Sequence, residues 1–116
     1  MTDNLIDPQE WGMFKSLGDP ATLVELLNSY LEDAPQLIQQ MRDGLAAGDI
    51  DGVRRAAHSL KSNSASFGGN RLADAARELE MIAKGGTLEG AEPKLREVEH
   101  EYEQLSALLT ELKNEL

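Results

Sequence analysis

One imidazole set among cations is the part of this sequence best suited to chemistry at phosphorus. His58 lies in the run Arg54-Arg55-Ala56-Ala57-His58-Ser59-Leu60-Lys61-Ser62. If that run is helical, Arg54, Arg55, Lys61 and Ser62 fall at i−4, i−3, i+3 and i+4 and share the histidine's face. Nearby cations disfavour the imidazolium and favour a neutral ring with a free nitrogen lone pair. A neutral ring is what a nucleophile toward phosphorus requires. The same cations would offset the charge of a bound phosphoryl group. Ser62, Ala65 and Ser66 continue the face with small side chains that leave the ring uncovered. From the residues alone, an ordinary surface histidine remains an equal alternative.

Charge is segregated along the chain. Of eleven basic residues, six lie between positions 54 and 84 (Arg54, Arg55, Lys61, Arg71, Arg77, Lys84), against three acids (Asp74, Glu78, Glu80). That segment is net +3, and the rest of the chain is −13 within a total of −10. Either these are ordinary solvated helix faces, or a functional surface there needs positive potential. The overall charge argues against nucleic-acid binding.

The elements that would hold this face are helices. Leu, Ala and Glu dominate, and no strand pattern occurs. Asp7-Pro8 starts a short helix over about 8–16, with Trp11, Phe14 and Leu17 as its apolar stripe and Gly18 as its stop. Asp19-Pro20 starts a second, whose stripe runs Leu23, Leu27, Tyr30, Ala34, Leu37, Met41, Leu45. Pro35 falls inside it, so the expectation is one kinked helix or two nearly coaxial ones, the second capped by Asp33. Gly48-Asp49 ends that element and caps the third, with Ile50, Val53, Ala57, Leu60, Ser64 and Phe67 inward and Gly68-Gly69 as its stop. Leu72, Ala76, Leu79 and Ala83 mark a fourth, ended by Gly85-Gly86. Leu95, Val98, Tyr102, Leu105, Leu109, Leu112 and Leu116 mark the last, with Pro93 in its first turn. The pattern predicts a single all-α domain over residues 1–116, an antiparallel bundle.

The segment AAHSLKSNSASFGGNRLADAARELE, residues 56–80, resembles the signature of histidine-containing phosphotransfer (HPt) domains. That pattern is His-x-Leu-Lys-Gly, then small residues, then Gly ten positions after the histidine. Here it reads His58, Ser59, Leu60, Lys61, Ser62, with Gly68 at the tenth position. Tyr30-Leu31-Glu32-Asp33-Ala34-Pro35, the Gly48-Asp49 turn, Arg77-Glu78-Leu79-Glu80 and Glu101-Tyr102 extend the resemblance over the whole chain. It implies an antiparallel four-helix bundle with a short extra N-terminal helix. It also implies a phosphorelay intermediate: His58 accepts a phosphoryl group from a receiver-domain aspartate and passes it to another receiver. Carried over position by position, His58 is the phosphorylated nucleophile and Lys61 the phosphate-stabilising cation. Glu80 bonds and orients the ring, and Lys84 is a further cation near the phosphoryl group. Such a protein is a carrier rather than an enzyme, since the receiver supplies the catalytic machinery. Ser62 departs from the pattern, standing where Gly is usual, with a hydroxyl able to bond phosphoryl oxygens.

The implied partners are receiver domains of hybrid histidine kinases and response regulators. The expected docking face carries Arg54, Arg55, Lys61, Ser62 and Ala65, with the outward side of the fourth helix near Lys84. No cofactor and no metal are expected, because His58 and His100 are the only histidines, cysteine is absent, and no spaced carboxylate loop occurs. His100 reads as a solvated surface residue and Trp11 as a cap over one end of the bundle. No apolar run approaches the length of a membrane span, and the N-terminus has no signal-peptide pattern. A free-standing cytoplasmic monomer is the expectation. Two rivals stay in view. A kinase or phosphatase would need a Gly-rich phosphate loop, which is missing. A non-phosphorylated helical adaptor for a receiver would not need both His58 and Lys61.

Overall fold

Three aspartates start three of the helices. The Asp7 carboxylate accepts from the backbone N–H groups of Gln9 and Glu10 at 2.9 and 3.0 Å. Asp19 accepts from Thr22 at 2.8 Å, and Asp49 from Gly52 at 3.0 Å. Each bond satisfies a donor that the first helical turn leaves open. The computed structural model describes residues 5–116 and contains five helices: α1 (Pro8–Lys15), α2 (Pro20–Ala47), α3 (Ile50–Ala65), α4 (Asn70–Lys84) and α5 (Ala91–Glu115). Helix α2 packs on α3, α3 on α4, α4 on α5, and α5 closes back on α2. The result is the antiparallel four-helix bundle expected, with α1 as the short extra helix, and no strand occurs among the described residues.

The stripes read from the sequence form the core. Leu23, Leu27, Ala34 and Met41 of α2 are buried with Val53, Ala57 and Leu60 of α3, Leu72, Ala76 and Leu79 of α4, and Leu95, Val98, Leu105 and Leu109 of α5. Helices α3 and α4 bury many alanines, among them Ala56, Ala57, Ala75, Ala76 and Ala83. Small side chains at a helix contact permit close axes. The short reach from His58 to Glu80 depends on that closeness.

Pro35 does not divide the second element. Helix α2 runs unbroken for 28 residues with Pro35 inside it, so Asp33 is a mid-helix residue and not a cap. Proline has no N–H to give the carbonyl four residues earlier, which belongs to Leu31. The Tyr102 hydroxyl of α5 donates to that carbonyl at 3.4 Å. A neighbouring helix thus supplies the missing donor, and tertiary packing overrides the local breaking signal.

One end of the bundle is closed by aromatic rings. Trp11 stacks on Phe14 at 5.3 Å between centroids, and both meet the edge of Phe67. Phe67 also packs edge-on against Tyr30 at 4.9 Å. Trp11 is therefore the end cap expected of it. Leu17 is not part of the closure, because α1 ends at Lys15 and Leu17 is 71% exposed. Phe67 lies two residues past the end of α3 and is nonetheless buried.

Gly68 secures α1 to α3. Its φ is +96°, and its carbonyl accepts from the Asp7 backbone N–H at 2.8 Å. A Cβ at this position would meet the Asp7 carbonyl oxygen at 3.0 Å. Both the dihedral and the contact exclude a side chain. Gly68→Ala is expected to lower unfolding stability by on the order of 1–3 kcal/mol. Urea denaturation should show a lower midpoint at an unchanged slope, and an unaltered midpoint would refute this account of the glycine.

Candidate functional site

A buried carboxylate organises the site. Glu80 of α4 is only 3% exposed at its side chain, and an unpaired charge there would be very costly. Two hydrogen-bond donors and one further cation meet it. His58 Nδ1 lies 2.8 Å from Oε2, Lys61 Nζ lies 2.8 Å from Oε1, and Lys84 Nζ lies 3.8 Å from Oε2. Burial pushes the Glu80 carboxyl up, but the hydrogen bonds from Lys61 and His58 outweigh it, so the group sits below its ordinary range. Glu80 is therefore an ionised acceptor.

That ionisation decides the histidine tautomer. A carboxylate can only accept, so the proton of the neutral ring is on Nδ1. Nε2 then carries the lone pair. It has no protein partner among the described residues, and the His58 side chain is 57% exposed. The arrangement is a nucleophilic nitrogen in an open position, held from behind by a bond to a rigid helix. The two lysines that hold Glu80 are themselves reachable from solvent, Lys61 partly and Lys84 largely.

The structure brings together His58, Lys61, Glu80 and Lys84, the four residues expected at the reaction centre. It does not gather the arginines there. Arg54 bonds Asp51 through Nη2 at 2.6 Å, and Arg55 pairs with the other oxygen of Asp51 at 3.2 Å. The picture of three cations crowding the ring is corrected accordingly: the group in contact with the ring is an anion, and the lysines reach it only through that anion. Asp51 stands three and four residues before the arginines, a spacing that pairs opposite charges on any helix. Ser62 and Ala65 are exposed one and two turns beyond His58 on the same helix. Ser64 faces inward and shares a hydrogen bond with the Tyr30 hydroxyl at 2.8 Å. His100 is exposed, with its ring Nε2 3.0 Å from the Gln104 side-chain nitrogen, far along α5 from this site in sequence.

A second feature of this end was missed by the sequence reading. Met13, Leu17 and Leu26 are large apolar side chains left exposed. Leu17 and Leu26 border a groove floored by Phe14, Leu27, Tyr30 and Phe67, with Asn63 of α3 and the following Ser66 in its wall. The only signal in the sequence was Leu26 standing beside Leu27, one position off the buried stripe. No group of residues able to hold a metal ion, and no helix long and apolar enough to cross a membrane, occurs among the described residues.

Comparison with known proteins identifies the family and the fold. The family model of the Hpt domain matches residues 25–113. The phosphorelay intermediate protein rdeA of Dictyostelium discoideum is 26% identical over 98 residues. Those residues are 84% of this chain but 39% of that relative, so the chain spans about two fifths of the relative's length. Among solved structures, histidine-containing phosphotransfer protein B (HptB) from Pseudomonas aeruginosa PAO1 superposes with a TM-score of 0.92 at 23% identity, covering 99% of both chains. The maize protein ZmHP2 gives 0.85 at 21% identity, covering 99% of this chain and 89% of that one. These structural likenesses establish the fold.

The lowered Glu80 value has a consequence for stability. A carboxyl depressed on folding contributes stability that is present above its unfolded value, near 4.5, and lost as pH falls through the folded value. The wild-type protein should therefore lose stability relative to Glu80→Gln as the medium is acidified below about pH 4.5. Denaturation of both proteins at neutral and acid pH measures it, and a difference that does not change with pH would contradict the ionised assignment.

Proposed function

The chain belongs to the Hpt domain family, and on that premise we propose that it is a phosphorelay intermediate that carries a phosphoryl group on Nε2 of His58 between receiver domains. The observation that carries the reading is the His58–Glu80 bond, which leaves Nε2 unprotonated, unpartnered and open. In the forward step the Nε2 lone pair attacks the phosphorus of a receiver aspartyl phosphate. The N–P bond forms as the P–O bond to the aspartate breaks, and the carboxylate leaves with the electron pair. The onward step is the reverse, with a second receiver's aspartate as nucleophile.

Charge spreads over the equatorial oxygens in such a transfer, and cations close to them lower the barrier. Lys61 and Lys84 suit that role because both side chains can swing from Glu80 toward a phosphoryl group on the neighbouring ring. On this reading the chain is a carrier whose catalysis comes from the partner. A receiver holding its own phosphorylation site would be that partner. The protein would act as a monomer in the cytoplasm, without a cofactor of its own.

The docking face follows from what is exposed. Arg54 and Arg55 already share Asp51, so their steering effect is muted, and they belong to the rim. Met13, Leu17 and Leu26 offer the apolar centre that transient interfaces require, and Ser62 and Ala65 supply small contacts between it and His58. Lys84 flanks the ring from the other side.

Incubation with a phosphorylated receiver should give an acid-labile, base-stable phosphoprotein modified at His58. Label on His58→Gln, or mapping to His100, would end the assignment. Lys61→Ala should slow transfer on the order of tenfold or more while the bundle still folds. Leu17→Asp should weaken receiver binding by about tenfold, or about 1.4 kcal/mol. Titration calorimetry showing wild-type affinity for that variant would move the docking face elsewhere.

A further inference from the structure

The partner of the ring is a carboxylate, although an amide would orient an imidazole equally well. An amide oxygen accepts the same Nδ1–H, so orientation alone does not call for a buried charge. The charge has a function once Nε2 is occupied. We propose that Glu80 is a positioning residue that keeps the proton on Nδ1 while Nε2 carries the phosphoryl group, so that phospho-His58 stays an imidazolium and discharges as a neutral imidazole. This rests on the reading of His58 as the carrier.

The charges around the ring support it. From α3 come Lys61 and, a turn earlier, Arg54 and Arg55, which are held by Asp51. From α4 come Glu80, Lys84 and the exposed Arg77. A phosphoryl group adds roughly two negative charges. With Nδ1 protonated, the imidazolium and the two lysines balance that group and Glu80. With the proton lost, a net negative charge would remain beside a carboxylate that is almost fully buried. Lys61 does not compete for the proton-bearing contact, because it bonds Oε1. Lys84 is 3.8 Å from Oε2, too far for a hydrogen bond, so that oxygen is left to Nδ1.

The proton also decides the leaving group. On loading, the N–P bond forms and the P–O bond breaks, and the Nδ1 proton does not move. On discharge, the N–P bond breaks and its electron pair returns to Nε2. With Nδ1–H in place the product is neutral imidazole. Without it the product would be an imidazolate anion, a far poorer leaving group. Glu80 therefore sets the pH range over which a loaded His58 can hand on its phosphoryl group.

The test uses the full chain carrying His100→Gln, loaded with phosphoramidate so that no receiver is needed. Ring nitrogens of phospho-His58 are followed by 15N NMR across pH, folded and in urea. The folded protein should keep the Nδ1 proton to at least about one pH unit above the urea-unfolded chain. Glu80→Gln should bring the two together. Discharge to a receiver should be flat with pH over that window in the parent protein and fall about tenfold per pH unit in Glu80→Gln. Equal titration of the folded and unfolded parent overturns the proposal whether or not the variant folds, as does a variant with the parent's pH profile. A chain that titrates as expected yet exchanges with no receiver would uphold the role of Glu80 and sink the phosphorelay reading instead.

Discussion

A single carboxylate inside the α3–α4 contact governs the active surface of this bundle. Glu80 is buried, and a buried charge must be satisfied or the helix pair separates. Satisfying it takes an imidazole proton and a lysine from α3 and a lysine from its own helix. Each of those donors is fixed by giving its hydrogen bond or its charge to Glu80. The tautomer of His58, the placement of Lys61 and the openness of Nε2 are consequences of that one requirement. The alanines of α3 and α4 are the packing condition for it, since bulkier side chains would hold the helices too far apart for a bond of 2.8 Å.

The bundle supplies rigidity around the His58–Glu80 pair. His58 sits in the middle of α3, far from frayed ends, and its acceptor sits on a helix packed along the same length. A site built on two helices holds its geometry more closely than one built on loops. The aromatic closure by Trp11, Phe14 and Phe67 anchors α1 beside the end of α3, and Gly68 allows the two backbones to meet. That closure gives α1 a fixed position from which Met13 projects as apolar surface, with Leu17 exposed just past its end.

Much of this was legible in the sequence, and the exceptions share a cause. Helix starts at Asp7-Pro8, Asp19-Pro20 and Asp49 and the stop at Gly85-Gly86 depend on neighbours within four residues and were read correctly, whereas α3 ends at Ala65, three residues before Gly68. The fate of Pro35 was not legible, because the group that rescues the Leu31 carbonyl is Tyr102, 71 residues away. Composition and periodicity placed His58 on an outward face but said nothing of Glu80, 22 residues further on. That residue entered only through the family resemblance. The arginines were misjudged for the opposite reason: Asp51 was close enough to be seen, and counting cations without their nearest acids overstated the field at the ring. Exposed Leu17 and Leu26 escaped notice because an apolar residue near a stripe is counted as core until the end of a helix is known.

The separation of the two surfaces bears on how such a carrier can serve more than one receiver. On the proposed reading, the charged cluster around Glu80 would act on the reacting atoms and would serve every partner alike, since the phosphoryl chemistry would be the same. The apolar groove beside α1 touches no reacting atom. If a receiver docks there, contacts made equally before and after transfer would set residence time and not the barrier. On that reading, residues such as Leu17 and Leu26 could choose among receivers without disturbing the transfer. On the proposed reading, the boundary between the two regions would run along α3 through the exposed Ser62 and Ala65, where a small side chain would suit both. A larger residue there would hold a receiver away from His58 and weaken docking and transfer together. On that reading, the double constraint would account for the run of small residues after the histidine.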